Sequence, residues 1–194
     1  MLCSRRRSES DNREFNAPLL GGNRACRMSV HDGPLGGTPA ADDTAESVVL
    51  RIRRLVESQP YAVLCTQGQG QPYGSLVAYA FNRDLTHAVF ATPRATRKFR
   101  LLTECDHVAL VIDNRPEFPD QLMEIEAVTA TGRASLVEES DDFGRWGGLL
   151  TARHTYLSKF VQSPSCGLFR IQVLRYFHVS RFQEVRQWVP KING

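Results

Sequence analysis

Three short apolar segments joined by tight polar turns are the feature of this sequence that most constrains its fold. Residues 61–66 form a nearly continuous apolar run, residues 68–71 have the composition of a hairpin turn, and a second strand is predicted over residues 72–81. Residues 82–84 form another polar turn, and a third strand is predicted to end at Thr92. Because parallel neighbours need a crossover of about a dozen or more residues, these short connections predict an antiparallel meander. The apolar run at 61–66 further predicts a strand buried on both faces.

The rest of the chain continues this pattern and adds helices. Further strands are predicted over residues 107–112, 128–137, 166–179 and 182–189, and helices over residues 43–59, from residue 95 or 96 onwards, and over 141–160. The third helix is predicted to weaken at Gly147 and Gly148, because glycine is a poor helix former. Six or seven antiparallel strands with three helices fit a small closed or partly closed barrel, so the predicted class is mainly β with flanking helices (α+β).

Side-chain alternation predicts the buried face of the two longest strands. Over 128–137 the even-numbered residues from 128 to 136 lie on one face, which is apolar, and the odd-numbered residues lie on the other. In the last long strand the predicted inward residues are Phe169, Ile171, Val173, Phe177 and Val179, with Arg175 interrupting the set. Arg133 is interpreted either as a solvated charge or as a cation that lines a site. The polar turn around Asn114 and Arg115 is interpreted either as a simple loop or as a pocket rim.

The first 43 residues differ in composition from the rest. They are rich in Gly, Pro, Ser, Asn and Arg without helical or strand periodicity, which is typical of a disordered tail. A wrongly assigned start codon gives the same pattern, and the arginines at 5–7 are alternatively a targeting patch. The opening segment lacks the apolar core of a secretory signal, so a cytoplasmic location is expected. The expected organisation is a tail over 1–43 and one domain over 44–194.

Charge and cysteine content argue against several classes of function. The chain has 24 Lys plus Arg against 21 Asp plus Glu, a net charge of +3, so no nucleic-acid partner is expected. Its five cysteines are scattered singly without the spacing of metal ligands, which indicates neither a zinc site nor a disulfide framework. No apolar run approaches the roughly 18 residues that span a bilayer, so we expect a soluble protein with no membrane partner.

The segment from Phe90 to Lys98 carries the strongest signal of a binding site. A strand ends here, Pro93 interrupts it and a helix begins. The first turn of that helix offers unpaired backbone N–H groups, the hydroxyl of Thr96 and the cations Arg97 and Lys98. Backbone donors, the helix dipole and fixed cations together suit a bound phosphate. The alternative interpretation is a basic, solvated helix start.

This segment resembles the Phe-Tyr-Thr-Asn-x-x-Ser-Arg-Lys motif of the pyridoxamine 5′-phosphate oxidase-like, FMN-binding split-barrel superfamily. Four positions match the motif identically: Phe90, Thr92, Arg97 and Lys98. Thr96 replaces serine, and Pro93 replaces asparagine. The order of elements is also similar, and the resemblance covers residues 44–190. It implies a six- to seven-stranded antiparallel split β-barrel.

The resemblance implies FMN as cofactor and a homodimer that holds each FMN in a cleft between subunits. Four residues are implied to hold the phosphate and ribityl chain: Thr92, Thr96, Arg97 and Lys98. The strand from Tyr73 to Val77 is implied to lie along the isoalloxazine ring and to offer backbone groups to its polar edge, with Ser75 as the side-chain contact. Arg181 and Trp188 are implied to complete the cleft; a solvated turn and ordinary packing are the respective alternatives.

The chain departs from true pyridoxamine phosphate oxidases at positions that distinguish those enzymes. Tyr73 and Gly74 stand where they have an arginine, Glu126 and Ala127 replace an Arg-Gln pair, and their closing Arg-x-His element is missing. Oxidation of vitamin B6 is therefore not expected. The resemblance instead implies an FMN-dependent oxidoreductase, similar to flavin reductases, that acts on an unidentified small molecule.

Other functions stay open: a haem-handling or non-catalytic split-barrel binding protein, or a reductase that uses deazaflavin. Residues 154–157 and the closing hairpin are similar to the haem-utilisation and general flavin-reductase branches. His154 is interpreted either as a haem ligand or proton donor, or as a polar residue on a helix face. No catalytic residue is assigned, because a flavin itself carries the redox chemistry.

Overall fold

The structure is a computed structural model that describes residues 45–138, 140–181 and 183–191. The predicted tail over 1–43, the helix start at Asp43 and the strand position Phe182 lie outside the described residues. In chain order the elements are α1 (Ala45–Ser58), β1 (Tyr61–Gly68), β2 (Gln71–Phe81), β3 (His87–Pro93), α2 (Arg97–Glu104), β4 (His107–Asp113), β5 (Ala127–Leu136), α3 (Ser140–Arg153), α4 (Ser158–Val161), β6 (Cys166–Ser180) and β7 (Glu184–Trp188). Short 3-10 helices cover Arg115–Glu117, Leu122–Glu124 and Thr155–Leu157.

Strands β1 to β6 form the predicted antiparallel barrel. The strand order is β3-β2-β1-β4-β5-β6-β7, and pairing of β3 with β6 closes the first six strands into a barrel. The additional strand β7 pairs with the C-terminal part of β6, residues 176–180. The fold class predicted from the sequence, mainly β with flanking helices, is confirmed.

Apolar side chains from β1 to β6 fill the barrel, and α1 packs against them. The apolar stripe of α1 comprises Val48, Ile52, Leu55 and Val56, all of which are buried. The hydroxyl of Tyr79 in β2 lies 2.9 Å from the backbone oxygen of Val56 and 2.8 Å from that of Gln59. The end of α1 is therefore tied to the barrel by a buried donor. In β5 the predicted inward face is confirmed as far as residue 134.

β1 is fully buried on one face only, so the predicted burial of both faces is wrong for the single chain. Ala62 and Leu64 are buried, whereas Val63 and Cys65 on the outer face are half-buried. Successive side chains point to opposite faces of a strand, and here the outer face is apolar without being fully covered. The apolar run therefore creates an apolar surface on the barrel.

A β-bulge reverses the buried face of β6 halfway along its length. The pairing of β5 with β6 shifts after Thr131, and Leu174 is the extra residue. Before the bulge the predicted residues Phe169, Ile171 and Val173 are buried; after it the buried residues are Tyr176, His178 and Ser180. The predicted inward positions of Phe177 and Val179 are wrong, because one extra residue shifts a two-residue period by one.

The segment predicted as one helix over 141–160 is two α-helices joined by a 3-10 helix. α3 continues through Gly147 and Gly148 to Arg153, so the predicted weak point is wrong. A Cβ at Gly147 would lie 3.1 Å from Val161 Cγ1, and glycine therefore permits close contact with α4. The helix ends at Arg153, because the next residue, His154, has a φ of −124° and a ψ of 74°, which are not helical. The described residues thus contain four α-helices instead of the three predicted, and none of these has the length and apolar character needed to cross a bilayer.

Candidate functional site

The barrel is split between β2 and β3 at one end. β2 pairs with β3 only through residues 79–81, whereas β3 continues along β6 as far as Pro93. Within the described ranges, residues 71–78 of β2 therefore have a strand partner on one side only, which is β1. α2 begins beside this opening, because Pro93 ends β3 and the chain becomes helical at Arg97. An open strand edge presents main-chain donors and acceptors that a ligand can use.

Side-chain hydrogen bonds of Thr92 and Thr96 hold the turn from β3 into α2. Thr96 is the N-cap: its Oγ1 accepts from Phe99 N at 3.3 Å and donates to Pro93 O at 2.8 Å. The single proton of Thr96 is thereby used, so Thr92 Oγ1, 3.0 Å away, is the donor between the two hydroxyls. The structure brings both predicted residues together, and their hydroxyls fix the geometry of the turn.

Lys98 and Arg97 extend from the first turn of α2 towards β2. Lys98 Nζ donates to Leu76 O at 3.0 Å, across the opening. Burial lowers the pKa of Lys98, and its ammonium group keeps further donors because it carries three N–H bonds. The Arg97 guanidinium lies over the ring of Tyr73, 4.9 Å from its centroid, and is exposed to solvent. Two cations therefore flank one end of the opening.

The bond from Lys98 shows which main-chain groups of β2 face the opening. In an antiparallel strand the N–H and C=O of one residue point to the same side, and successive residues alternate. Because Leu76 O points away from β1, the amides of Gly74, Leu76 and Ala78 face the opening, and those of residues 73, 75 and 77 face β1. Gly74 and Leu76 belong to the strand from Tyr73 to Val77 that the resemblance implied to offer backbone groups, whereas the main-chain groups of Tyr73, Ser75 and Val77 face β1.

Ser75 presents an unpaired polar atom next to this edge. Its Oγ is buried and has no hydrogen-bond partner among the described residues. A buried hydroxyl without a partner costs about 1–3 kcal/mol, so such an atom marks a place where a ligand or water supplies the missing bond. Val77, by contrast, is buried in the barrel core, where its side chain packs against other apolar residues.

Arg181 and Trp188 do not lie near this opening within one chain. β6 starts beside Pro93, where Cys166 is its partner, and runs to Ser180 before the turn at Arg181. At about 3.3 Å per residue the strand path between these ends is roughly 46 Å. Trp188 stacks on Tyr176 with ring centroids 5.3 Å apart, and Arg181 pairs with Glu184 at 3.4 Å. The described contacts of both residues are thus with β6 and the closing hairpin, towards the end of β6 that is remote from Pro93.

His154 is buried at the end of α3 with both ring nitrogens hydrogen-bonded. Nε2 lies 2.9 Å from Tyr79 O, which only accepts, so Nε2 carries the proton and donates. Nδ1 lies 3.2 Å from the hydroxyl oxygen of Tyr156. The side chain is 3% exposed, so its interpretation as a polar residue on a helix face is wrong. In this arrangement neither nitrogen is available to a haem iron.

Two exposed tyrosines beside His154 form a polar cluster that the sequence analysis missed. Tyr61 and Tyr156 are 47% and 62% exposed, and their hydroxyl oxygens lie 3.5 Å apart. Tyr61 also stacks on the His154 ring, with centroids 6.4 Å apart. The hydrogen bond to the Tyr61 hydroxyl raises the pKa of the Tyr156 phenol. The proximity of Tyr156 to His154 is visible in the sequence, but the contact with Tyr61 depends on the fold.

The other polar residues considered in the sequence take part in local structure. Arg133 contacts both carboxylate oxygens of Asp106 at the surface, at 3.1 and 2.9 Å, which confirms a solvated charge. Asn114 Oδ1 accepts from Glu126 N at 2.8 Å, and Arg115 pairs with the carboxylate that precedes the turn at 2.7 Å. These contacts support the simple-loop interpretation of the turn. In the described part of the chain no group of three or more His, Cys, Asp and Glu side chains is arranged to hold a metal ion.

Solved structures with a similar fold include proteins that bind different cofactors. A haem-binding protein from Mycobacterium smegmatis matches with a TM-score of 0.66 and 16% identity over 77% of this chain and 60% of that chain. An FAD-binding protein from Mesorhizobium loti matches with a TM-score of 0.56 and 15% identity over 67% of this chain and 90% of that one. The haem storage protein HutZ from Vibrio cholerae matches with a TM-score of 0.53 and 18% identity over 73% and 93%. These identities show a shared fold.

The chain spans about 60% of the length of the mycobacterial protein. Comparison of the amino-acid sequence identifies a family more specifically than these structural matches do. A search of curated protein sequences gives no match. The sequence profile of pyridoxamine 5′-phosphate oxidase matches residues 50–180, which is more than half of the 194 residues. The chain therefore belongs to the pyridoxamine 5′-phosphate oxidase-like family of split-barrel proteins.

Proposed function

We propose that the protein is an FMN-binding flavoprotein that holds the cofactor phosphate where α2 begins. The observation that carries this proposal is the convergence of Arg97 and Lys98 on the opening between β2 and β3, next to the unpaired hydroxyl of Ser75. A phosphate dianion takes charge-assisted hydrogen bonds from such cations and from the first-turn amides of a helix. FMN joins a phosphate to a planar ring with polar edges, so it suits both the basic turn and the open strand edge.

The residues at the split have distinct tasks in this proposal. Arg97 offers a fork of N–H donors to the phosphate, and Lys98 offers a compact positive charge. Thr92 and Thr96 keep the helix start in position through their mutual hydrogen bond. The edge amides of β2 and the hydroxyl of Ser75 orient the flavin ring. The bound flavin supplies the transfer of hydride or electrons.

We propose an FMN-dependent oxidoreductase, similar to flavin reductases, that acts on a small-molecule substrate in the cytoplasm. Pyridoxamine phosphate is not the proposed substrate, because Gly74 on the open edge cannot replace an arginine as an anion ligand. The same argument applies to Glu126, whose carboxylate accepts hydrogen bonds from Arg51 and Arg54 at 3.5 and 3.0 Å and is therefore committed to α1.

We also propose a homodimer that forms through the outer face of β1, β2 and β4. Leu76, Val63 and Val111 form one row across these strands, because Val63 pairs with both of the others. Leu76 is 65% exposed, and all three side chains are apolar. Contiguous apolar surface of this kind marks a protein interface. A second copy would also supply Arg181 and Trp188, which lie far from the opening of their own chain. Sedimentation is expected to show a dimer at micromolar concentration, and a monomer with flavin bound would contradict it.

A haem-handling function is the second candidate. The exposed Tyr61 and Tyr156 next to His154 favour it, because phenol oxygens are ligands for ferric haem. The similarity of the fold to a haem-binding and a haem storage protein supports it as well. A deazaflavin cofactor in place of FMN is the further alternative, and mass spectrometry of the bound ligand distinguishes it from FMN.

Titration of the purified protein with FMN and with riboflavin tests the first proposal. Because the phosphate contributes charge-assisted contacts, FMN is expected to bind at least about tenfold more tightly than riboflavin. Quenching of flavin fluorescence reports both affinities. Equal affinities would show that the basic turn does not hold the phosphate.

A further inference from the structure

We propose that a cavity at the C-terminal end of β6 binds the carboxylate of a small organic acid. The cavity has a volume of about 420 Å³, which is within the range of roughly 300–1,000 Å³ that is usual for small-molecule sites. Its walls come from α1, the segment before β5 and the end of β6, and the lining residues are Arg51, Met123, Glu124, Glu126, Ser180 and Arg181. The inference goes beyond the proposed function and does not depend on a bound flavin.

Arg51 supplies the cavity wall with a cation that is only loosely paired. Its Nη1 lies 3.5 Å from Glu126 Oε1, whereas Arg54 Nη2 approaches the other oxygen of the same carboxylate to 3.0 Å. The closer partner of Glu126 is therefore an arginine outside the lining of the cavity. Because a guanidinium carries five N–H bonds, Arg51 keeps donors that a ligand can use.

Arg181 repeats this arrangement at the end of β6. Its Nη1 lies 3.4 Å from Glu184 Oε1, whereas Arg186 Nη2 approaches Glu184 Oε2 to 3.1 Å. Arg186 also donates to Ser180 Oγ at 3.3 Å, which holds this hydroxyl at the cavity wall. Two arginines with unspent donors thus face one cavity, and a carboxylate accepts charge-assisted hydrogen bonds from such groups.

The charged side chains around the cavity leave a surplus of one positive charge. Four arginines and three glutamates take part: Arg51, Arg54, Arg181 and Arg186, with Glu124, Glu126 and Glu184. A single carboxylate matches this surplus, whereas a phosphate dianion would bring an uncompensated negative charge close to the glutamates. The exposed Glu124 can accept a hydrogen bond from a hydroxyl group of the ligand, and Met123 offers an apolar contact.

His178 is an independent sign of an incomplete polar site beside this cavity. Its side chain is fully buried, and neither ring nitrogen has a hydrogen-bond partner among the described residues. Nε2 lies 3.8 Å from Glu126 Oε2, which is too far for a hydrogen bond. Burial lowers the pKa of His178, which favours the neutral ring. A buried nitrogen without a partner is costly, so a ligand or an ordered water that supplies the missing bond would stabilise the protein.

Calorimetric titration of the full-length protein with mandelate, in the absence of flavin, tests the assignment. Mandelate combines one carboxylate with a hydroxyl group and an apolar ring. We expect it to bind at least about tenfold more tightly than mandelamide, its uncharged analogue. Arg51→Gln and Arg181→Gln are each expected to weaken mandelate binding by about tenfold and to leave mandelamide binding unchanged. Arg53→Gln is the matched control, because Arg53 lies on the same helix but donates to Arg83 O at 2.8 Å.

Four results would overturn the inference. Failure of the parent to bind mandelate at millimolar concentration would remove the site, and equal affinities for mandelate and mandelamide would show that no carboxylate is recognised. Unchanged mandelate affinity in either cavity variant would place binding elsewhere. Tighter binding of inorganic phosphate than of mandelate would contradict the charge argument. Circular dichroism establishes that each variant is folded, and FMN titrations of the parent test the flavin proposal separately.

Discussion

Replacement of Arg97 or Lys98 by alanine is expected to weaken FMN binding while leaving riboflavin binding almost unchanged. Both side chains approach the opening between β2 and β3 from the first turn of α2. Riboflavin has the same ring as FMN but lacks the phosphate. A selective effect therefore reports contact with the phosphate, whereas partial unfolding would weaken the binding of both ligands.

The structure gives a size and an order for these effects. A hydrogen bond to a charged group contributes about 1.5–3 kcal/mol, which corresponds to roughly 10- to 150-fold in affinity. Lys98 loses its hydrogen bond to Leu76 O if its ammonium group turns fully to the phosphate. Its net contribution to FMN binding is therefore expected at the lower end of this range. Arg97 is exposed and only stacks on Tyr73, and it can offer two N–H groups at once. Arg97→Ala is therefore expected to cost more than Lys98→Ala.

Fluorescence titration of both variants with both flavins measures this directly. Arg100→Ala is the matched control, because Arg100 lies on the same helix but pairs with Glu104 at 3.9 Å on its exposed side. We expect the control to bind both flavins as the parent does. If Arg97→Ala and Lys98→Ala also bind FMN like the parent, the basic turn is a solvated helix start. Equal losses for both flavins would likewise refute the phosphate argument.

Four further predictions concern stability and assembly. Burial lowers the pKa of His178, so the imidazole takes up a proton more readily in the unfolded chain. The free energy of unfolding should therefore fall as the pH drops below about 6.5. In urea titrations His178→Gln should make this fall less steep, and an unchanged pH dependence would contradict the argument. Gly132→Ala should lower the free energy of unfolding by roughly 1–3 kcal/mol, because a Cβ at this position would overlap a backbone oxygen of β6. Gly144→Ala is the control and should cost nothing, because an added Cβ there would have no atom within 4 Å. Equal denaturation midpoints for the two variants would refute this. Leu76→Glu places a charge in the proposed interface and should give a folded monomer in sedimentation, and a persisting dimer would exclude this interface. Deletion of residues 1–40 should leave the melting temperature unchanged, and a large decrease would show that the tail belongs to the folded domain.

Local patterns in the sequence were sufficient for much of the fold. Hairpin turns and two-residue alternation predicted the strands of the barrel, since both depend on neighbouring residues alone. The start of α2 was predicted to within two residues, because Pro93 ends the strand and Thr96 caps the helix. The basic cluster at Arg97 and Lys98 was visible for the same reason. The structure places these side chains at the split of the barrel, which the sequence did not locate without the family resemblance.

Features that depend on contacts between distant segments were not predictable. The bulge at Leu174 depends on how β6 pairs with β5, so the inward residues beyond it were assigned to the wrong face. Gly147 was predicted to weaken the helix, but α3 continues through it, and a Cβ at this position would lie 3.1 Å from Val161 Cγ1 of α4. Tyr61 meets Tyr156 only after the barrel closes against α3 and its following turn. Pairing and packing decide these positions, and neither is encoded in a short window of sequence.

The absorbance spectrum of the purified protein after incubation with excess FMN and gel filtration tests the central claim most directly. The account predicts retained flavin bands at about 375 and 450 nm, and release of FMN on denaturation. A protein that elutes without flavin bands contradicts the claim. If the same preparation instead shows a Soret band after addition of ferric haem, the split barrel handles haem and the flavin proposal is wrong.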